Sequence, residues 1–175
     1  LVLMYQMNFM EKKELGFRKD AVLTVPIPLR EETGDQGQPS RMITLREEMM
    51  GITGVNSGSL SSAPPSSGNV SGTNFRLVGS DRDFETQVKQ VDGNYIPLFD
   101  LKLIAGRNLD DLDTANAFVV NEKLCDLVGV KPDEMVGKVI RMWGRELPVI
   151  GVVQNFHTVS LEQPIEATIL LNRRA

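Results

Sequence analysis

Alternating hydrophobic and polar positions in the middle of the chain predict β-strands. Residues 75–79 and 86–91 alternate with period two, which predicts two strands with one solvent-facing side. The charged residues 80–83 predict the turn between them. Short apolar runs predict two buried strands, and the full set of predicted strands is 21–25, 75–79, 86–91, 117–120, 138–142 and 147–153. The two that are predicted to be buried are 21–25 and 117–120.

Helical spacing and capping residues predict helices between these strands. A helix is predicted over about 41–50, with apolar positions at Met42, Ile43, Leu45, Met49 and Met50. A second helix is predicted to start after Asn121 as its N-cap, to run through Val128 and to end at Gly129. Short helical segments are also expected, beginning at Gly93 and at Pro132.

The connections between elements differ in composition. Residues 51–74 are rich in Gly, Ser and Pro, which predicts a loop or an irregular edge with too little apolar surface to pack by itself. Within it, residues 52–55 are a candidate start of a further strand. Residues 143–146 predict a tight hairpin connection, and Trp143 is expected to pack on a sheet edge.

The first ten residues are mostly apolar and are followed at once by charged residues. An apolar run of ten is too short to span a bilayer, which takes roughly 20 residues. Two interpretations stay open: an amphipathic helix that packs on the core, or the outer end of a membrane helix. In both, Gly16 is well placed to end the helix as its C-terminal cap.

Composition and charge narrow the possible chemistry. The chain has 175 residues, of which 41% are hydrophobic and 24% charged, as expected of a folded domain. A net charge of -4 gives no reason to expect a nucleic-acid partner. A single cysteine excludes an intramolecular disulfide and a CxxC zinc site, and a single histidine excludes a histidine-based metal cage.

The residues that come closest to a functional site all have a simpler structural interpretation. Cys125 is predicted to be a buried structural thiol, and His157 a structural or hydrogen-bonding residue. Asp110, Asp111 and Asp113 lack the turn glycine and final glutamate of a calcium loop, which favours a solvated loop. We therefore predict no catalytic residue, no cofactor-binding residue and no metal site.

Several short motifs occur in an order and spacing that is typical of one family. They are 93–99 (GNYIPLF) with 105–107 (AGR), 119–122 (VVNE) with 137–138 (GK), and 151–157 (GVVQNFH) with 160–161 (SL) and 164–165 (PI). Together they resemble the periplasmic core domain of MacB-type (FtsX-like) ABC transporter permeases, especially a Bacteroidetes-like branch. No single motif is specific to this family, but the motifs in this order and spacing extend over nearly the whole chain.

The resemblance implies an α+β fold with two lobes. It implies a stalk helix that continues from a membrane helix at 1–15, and a porter-like α/β lobe at 16–90. An inserted, β-rich, sabre-like lobe would follow at 91–165. Residues 166–175 would be a return segment of the first lobe, either truncated or short.

The resemblance also implies a function without catalysis. The chain would be the extracytoplasmic domain of an ABC transporter permease in the bacterial inner membrane, lying in the periplasm. It would transmit ATP-driven conformational change to a periplasmic substrate or partner. The implied partners are a separate ABC ATPase subunit, a second permease in a homo- or heterodimer, and a periplasmic or outer-membrane protein. A module that senses a ligand or peptide through the Ser/Gly/Pro-rich loop is the alternative.

Overall fold

The computed structural model describes residues 16–18, 21–26, 41–68, 71–110, 116–159 and 163–172. Four helices are present in these ranges: α1 (Arg41–Met50), α2 (Tyr95–Leu98), α3 (Glu122–Val128) and α4 (Pro132–Met135). None of them is long and apolar enough to cross a membrane. The strands are β1 (Ser71–Leu77), β2 (Asp83–Val91), β3 (Leu103–Gly106), β4 (Phe118–Asn121), β5 (Val139–Met142), β6 (Arg145–Val153) and β7 (Thr168–Asn172).

All of these strands belong to one seven-stranded sheet, in the order β3-β6-β4-β7-β2-β1-β5. The pairs β2–β7 and β4–β6 are parallel, and the other pairs are antiparallel. β6 is long enough to pair with β5 along its first half as well as with β3 and β4 along its second half. The order of hydrogen-bonded strands therefore closes on itself through β6.

Two apolar clusters pack on the sheet. The first includes Phe75 and Phe84, whose rings stack 5.5 Å apart, together with Leu124 and Cys125 from α3. The second gathers side chains from α2, from the strands and from the segment after β6, namely Val91, Tyr95, Ile96, Phe99, Leu101, Leu109, Val119, Val153, Phe156 and Leu170. Alternation of side chains along a strand divides neighbouring residues between the clusters: Phe118 and Val120 of β4 lie in the first, and Val119 lies in the second.

The predicted lobe boundary between residues 90 and 91 lies at the end of β2. Strands from both sides of that boundary share the sheet and the first apolar cluster. β7, which lies in the predicted return segment, is placed between β2 and β4. The predicted stalk at 1–15 lies outside the described residues, as do Asp111 and Asp113.

Most predicted elements are confirmed, and the mixture of helices and sheet confirms the α+β class. α1 covers the predicted residues 41–50. The side chain of Asn121 accepts a hydrogen bond from the Leu124 N–H at 3.1 Å, and Gly129 ends α3 with φ +72°. The hairpin between β5 and β6 is tighter than predicted, because its turn contains only Trp143 and Gly144.

Two strand predictions are wrong. Residues 21–26 are not assigned to a strand, and Leu23 is 84% exposed, because no strand in the described ranges pairs with them. Residues 52–55 form turns that follow α1 instead, with the Val55 N–H donating to the Ile52 carbonyl. In both places apolar composition resembled a strand, but a strand also needs a hydrogen-bonding neighbour.

The Ser/Gly/Pro-rich loop, predicted to have too little apolar surface to pack by itself, packs against the rest of the domain. Ser61 forms a bridge with Val91, and the Ser62 N–H donates to the Gln90 carbonyl at 2.8 Å. Ala63 is buried, and its carbonyl accepts a hydrogen bond from the Tyr95 hydroxyl. The last part of the predicted loop, from residue 71 onward, belongs to β1.

Candidate functional site: the junction of the N-terminal segment with the domain

The chain enters the described domain at Gly16, where the backbone passes very close to the segment that follows β6. Gly16 has φ +74°, the left-handed conformation expected of a helix C-cap. A Cβ atom at this position would lie 2.4 Å from the Asn155 carbonyl oxygen and 2.9 Å from the Phe156 Cα. Both the conformation and the space therefore require glycine.

The next two residues attach the chain to the end of α2. The Phe17 ring meets the Phe99 ring edge-on, with centroids 6.3 Å apart, and packs against the second apolar cluster. The Arg18 N–H donates to the Phe99 carbonyl at 2.7 Å. The Arg18 guanidinium also reaches the Leu98 carbonyl at 3.5 Å. The junction thus combines a close backbone approach, an aromatic contact and main-chain hydrogen bonding.

Asn155 connects this junction to the start of α3. Its N–H donates to Glu122 Oε2 at 2.9 Å, and its Oδ1 accepts from the Lys123 N–H at 2.7 Å. The free N–H groups at a helix start need such acceptors. The carbonyl of the same residue faces Gly16, so Asn155 contacts both the entering chain and α3.

Asn121 extends the connection to β7. Its Oδ1 accepts from the Leu124 N–H at 3.1 Å and from the Thr168 N–H at 2.9 Å. Its Nδ2 donates to the Glu166 carbonyl at 2.8 Å. Only 1% of Asn121 is exposed, so these bonds replace water for buried groups. Motifs 119–122 and 151–157 therefore act as structural connectors.

A buried carboxylate fastens α1 and the loop to the sheet on a second side of the domain. Asp92 accepts hydrogen bonds from the Arg46 guanidinium at 3.0 Å and from the Ser59 hydroxyl at 2.6 Å. It also accepts from the backbone N–H groups of Leu60 and Asn94. This charge is therefore paired and hydrogen-bonded, as a buried charge has to be. Sequence reasoning missed Asp92, because three of its four partners, Arg46, Ser59 and Leu60, are more than 30 residues from it along the chain.

A buried lysine lies under the loop. Lys89 is fully buried on β2 and donates a hydrogen bond from Nζ to the Pro64 carbonyl at 3.0 Å. Burial lowers the pKa of Lys89 to about 8, because the charged form loses hydration. On the same strand Gln87 accepts from the Thr158 hydroxyl at 2.7 Å and donates to Glu166. The inner residues of the loop are thus bonded to the domain, and any recognition by the loop has to use its outer residues.

The structure also places the residues that came closest to reactive chemistry. Cys125 is 1% exposed, and burial, with the nearby carboxylates of Asp126 and Glu122, raises the pKa of its thiol to about 11. A thiol in this state is a weak nucleophile, which fits the predicted structural role. His157 is buried, and its carbonyl accepts from the Ser66 N–H at 3.0 Å. Within the described ranges, no three His, Cys, Asp or Glu residues are grouped to hold a metal ion.

The chain spans just over half of two solved structures with a related fold, so each of them contains more than this chain. The periplasmic region of MacB from Actinobacillus actinomycetemcomitans has a TM-score of 0.55 and 17% identity, over 74% of this chain and 54% of that chain. The extracellular domain of the ABC-type transporter YknZ from Gram-positive bacteria has a TM-score of 0.52 and 18% identity, over 73% of this chain and 59% of that chain.

No curated protein matched the chain. The family described as MacB-like periplasmic core domain matches residues 10–171, which include the junction, Asn121, Asn155 and every strand of the sheet except the last residue of β7. The match covers far more than half of the sequence. The chain therefore belongs to the family of MacB-like periplasmic core domains.

Proposed function

We propose that this chain is the extracytoplasmic domain of an ABC transporter permease that transmits ATP-driven conformational change. Its family membership over residues 10–171 carries the proposal. In this proposal ATP is bound and hydrolysed by a separate ATPase subunit or domain. The chain itself moves, and passes that movement to a substrate or partner protein in the periplasm.

The junction geometry supports a mechanical role. A stalk at residues 1–15 would deliver its displacement at Gly16, where the backbone is in direct contact with the Asn155–Phe156 segment. From there, hydrogen bonds lead into α3 through Glu122 and Lys123. A small movement of the stalk therefore has a short and well-packed route into the sheet, because packed interiors transmit displacement.

The rest of the domain suits movement as a rigid body. The sheet closes on itself through β6, and Asp92 ties α1 and the loop to the end of β2. Rigid-body movement of domains about an interface is a common form of switching in proteins. We propose that the interface lies between two permease subunits, in a homo- or heterodimer at the bacterial inner membrane. A periplasmic or outer-membrane protein would receive the movement.

The assignment of 16–90 to a porter-like lobe, 91–165 to a sabre-like lobe and 166–175 to a return segment remains part of the proposal. Because one sheet contains strands from all three ranges, the lobes would have to move together wherever the described strands connect them. This refines the proposal to a single moving body in the described part of the chain.

Spin-label distances in the full-length permease, reconstituted with its ATPase, test the proposal. Asp133→Cys places one label on the exposed side of α4 in each subunit. A second variant adds Asp81→Cys, so that two labels lie within one domain. Native Cys125 is buried with a raised pKa, so it should stay unlabelled in the folded protein.

We expect ATP to change the distance between the two subunits and to leave the Asp81–Asp133 distance within one domain unchanged. Vanadate or a catalytically inactive ATPase provides the control. The proposal fails if the distance between subunits stays constant while ATP is being hydrolysed. A change within one domain would contradict movement as a single body.

A further inference from the structure

One edge of β1 is open over half of its length. β1 pairs with β2 from Ser71 to Arg76, but it pairs with β5 only at Arg76 and Leu77. The Val78 N–H donates to the Val139 carbonyl on the β5 side. Backbone groups alternate between the two sides of a strand, so Gly72 and Asn74 direct their N–H and C=O groups to this same side. No described residue bonds to them there.

This edge carries none of the features that usually block strand addition. Residues 71–74 are Ser, Gly, Thr and Asn, without a charge or a proline, and three of the four are exposed. A Cβ atom added at Gly72 would meet no atom within 4 Å. Open edges of this kind are templates for pairing with another chain, and natural proteins normally protect them with lysine, proline or a bulge.

Trp143 lies beside the open edge in an unusual conformation. It is the first residue of the two-residue turn between β5 and β6, has φ +52° and is 58% exposed. That turn position favours Asn, Asp or Gly, and a bulky side chain there is strained. The indole Nε1–H donates to Thr73 Oγ1 at 3.0 Å, which holds the ring against β1. Strained residues that persist at a surface are a signal of function.

A groove of about 640 Å³ begins at the same edge. The Gly72, Thr73 and Asn74 residues of the open edge line it. The remaining lining includes Leu127 on α3, which is 43% exposed, and the apolar residues Pro164 and Ile165. The lining also contains Glu85, Thr86 and Gln87 of β2 and the charged side chains of Lys123 and Glu166, so the groove lies over the β1–β2 pair and adjoins the open edge.

We propose that the β1 edge at residues 72–74 binds an extended peptide segment of a partner protein as an added strand. The backbone groups of Gly72 and Asn74 offer about four main-chain hydrogen bonds, the usual basis of affinity in strand addition. Apolar side chains of the peptide pack against the exposed Trp143 ring, which gives specificity. This inference does not depend on the transporter function proposed above.

A flexible peptide fits this surface better than a second folded copy of the chain. The open edge is four residues long, whereas a stable interface between folded proteins buries about 1,000 Å² or more.

Selection from a displayed library of random 12-residue peptides on the 175-residue chain tests the proposal. Selected peptides are then measured by fluorescence polarisation against the wild type, Gly72→Ala and Gly72→Pro. Gly72→Ala keeps the outward N–H and has room for its Cβ. Gly72→Pro removes that N–H, which no described residue uses, and blocks the edge.

We expect the affinity of Gly72→Ala for the peptide to stay within about twofold of the wild type. We expect Gly72→Pro to bind at least about tenfold more weakly, because it loses one hydrogen bond to the peptide and its ring keeps the peptide backbone from approaching the edge. Bound peptide should slow amide hydrogen exchange at Gly72 and Asn74. Trp143→Asn should raise the melting temperature by relieving strain, and yet weaken binding.

If Gly72→Pro does not fold, the selected peptide is instead methylated on its backbone nitrogens at every second residue. Of the two alternating sets of nitrogens, methylation of only one set should abolish binding. Equal binding to Gly72→Pro and Gly72→Ala would overturn the proposal, and so would a selection that enriches no peptide. A wild-type dimer that Gly72→Pro converts to a monomer would also overturn it, by assigning the edge to a second copy of the chain.

Discussion

Replacing Asn121 with alanine removes the side chain that joins α3, β7 and the segment before β7. In the native protein its Oδ1 accepts from the N–H groups of Leu124 and Thr168, and its Nδ2 donates to the Glu166 carbonyl. Leu124 and Thr168 are fully buried, whereas Glu166 is exposed. Water can therefore replace the lost partner of Glu166, but it does not reach the other two groups.

The expected loss of stability follows from the N–H groups of Leu124 and Thr168, which are buried and lose their acceptor. Leaving a buried donor without a partner costs about 1–3 kcal/mol, so two of them cost roughly 2–6 kcal/mol. We expect the free energy of unfolding to fall by about 4 kcal/mol. Since a domain of ordinary stability has about 5–15 kcal/mol in total, this single change should bring the protein close to its unfolding threshold.

Urea unfolding followed by circular dichroism measures this loss, provided that the slope of the transition is unchanged. Asn94→Ala is the matched control, because Asn94 is exposed and its Nδ2 makes one hydrogen bond to the Gly58 carbonyl. That control should cost about 0.5–1 kcal/mol. Equal losses in the two variants would refute the reasoning that the Asn121 bonds matter because they are buried.

Three further predictions concern the junction and two buried groups. Gly16→Ala should lower the free energy of unfolding by more than about 2 kcal/mol, because the new Cβ meets the Asn155 carbonyl. Gly129→Ala is the control, since Gly129 has a similar φ but open space around it, and it should lower the same quantity by only about 1 kcal/mol in the urea assay. The folded pKa of Lys89 is about 8 instead of 10.5, so the unfolded chain binds more protons between these pH values, and stability should rise with pH there by up to roughly 3 kcal/mol relative to Lys89→Met. If the difference in melting temperature between the wild type and Lys89→Met is the same at pH 8 and at pH 10.5, this prediction is wrong. The Cys125 thiol should resist iodoacetamide at pH 8 in the folded protein and react after unfolding, as measured by mass spectrometry.

Local patterns predicted the elements of the fold well where the chemistry is local. The cap at Asn121, the left-handed end at Gly129 and the burial of Cys125 all depend on residues that are close together in sequence. The motifs that carry the family resemblance were also visible. Their role was not, because the bonds from Asn155 to α3 cross more than 30 residues of chain.

Long-range pairing accounts for the failures. Residues 21–25 have a strand-like composition, yet Leu23 is exposed because the described fold provides no neighbouring strand. Conversely, the Ser/Gly/Pro-rich loop has little apolar surface, yet it packs because β2 offers carbonyls to Ser62 and because Pro64 receives a hydrogen bond from Lys89. Composition describes only the side chains of the segment itself, whereas packing also depends on the residues that the folded chain places next to it.

The sequence by itself determined the order and type of most elements, the helix caps, the exclusion of a disulfide within these 175 residues and the family to which the chain belongs. These properties depend on periodicity, on single residues and on motif order, all of which are read along the chain. Tertiary structure alone decided that one sheet joins both predicted lobes, that Gly16 lies against Asn155, and that no described strand pairs with the edge of β1 at residues 72–74. The physical reason is that these features arise from contacts between residues far apart in sequence, which become neighbours only when the sheet closes through β6.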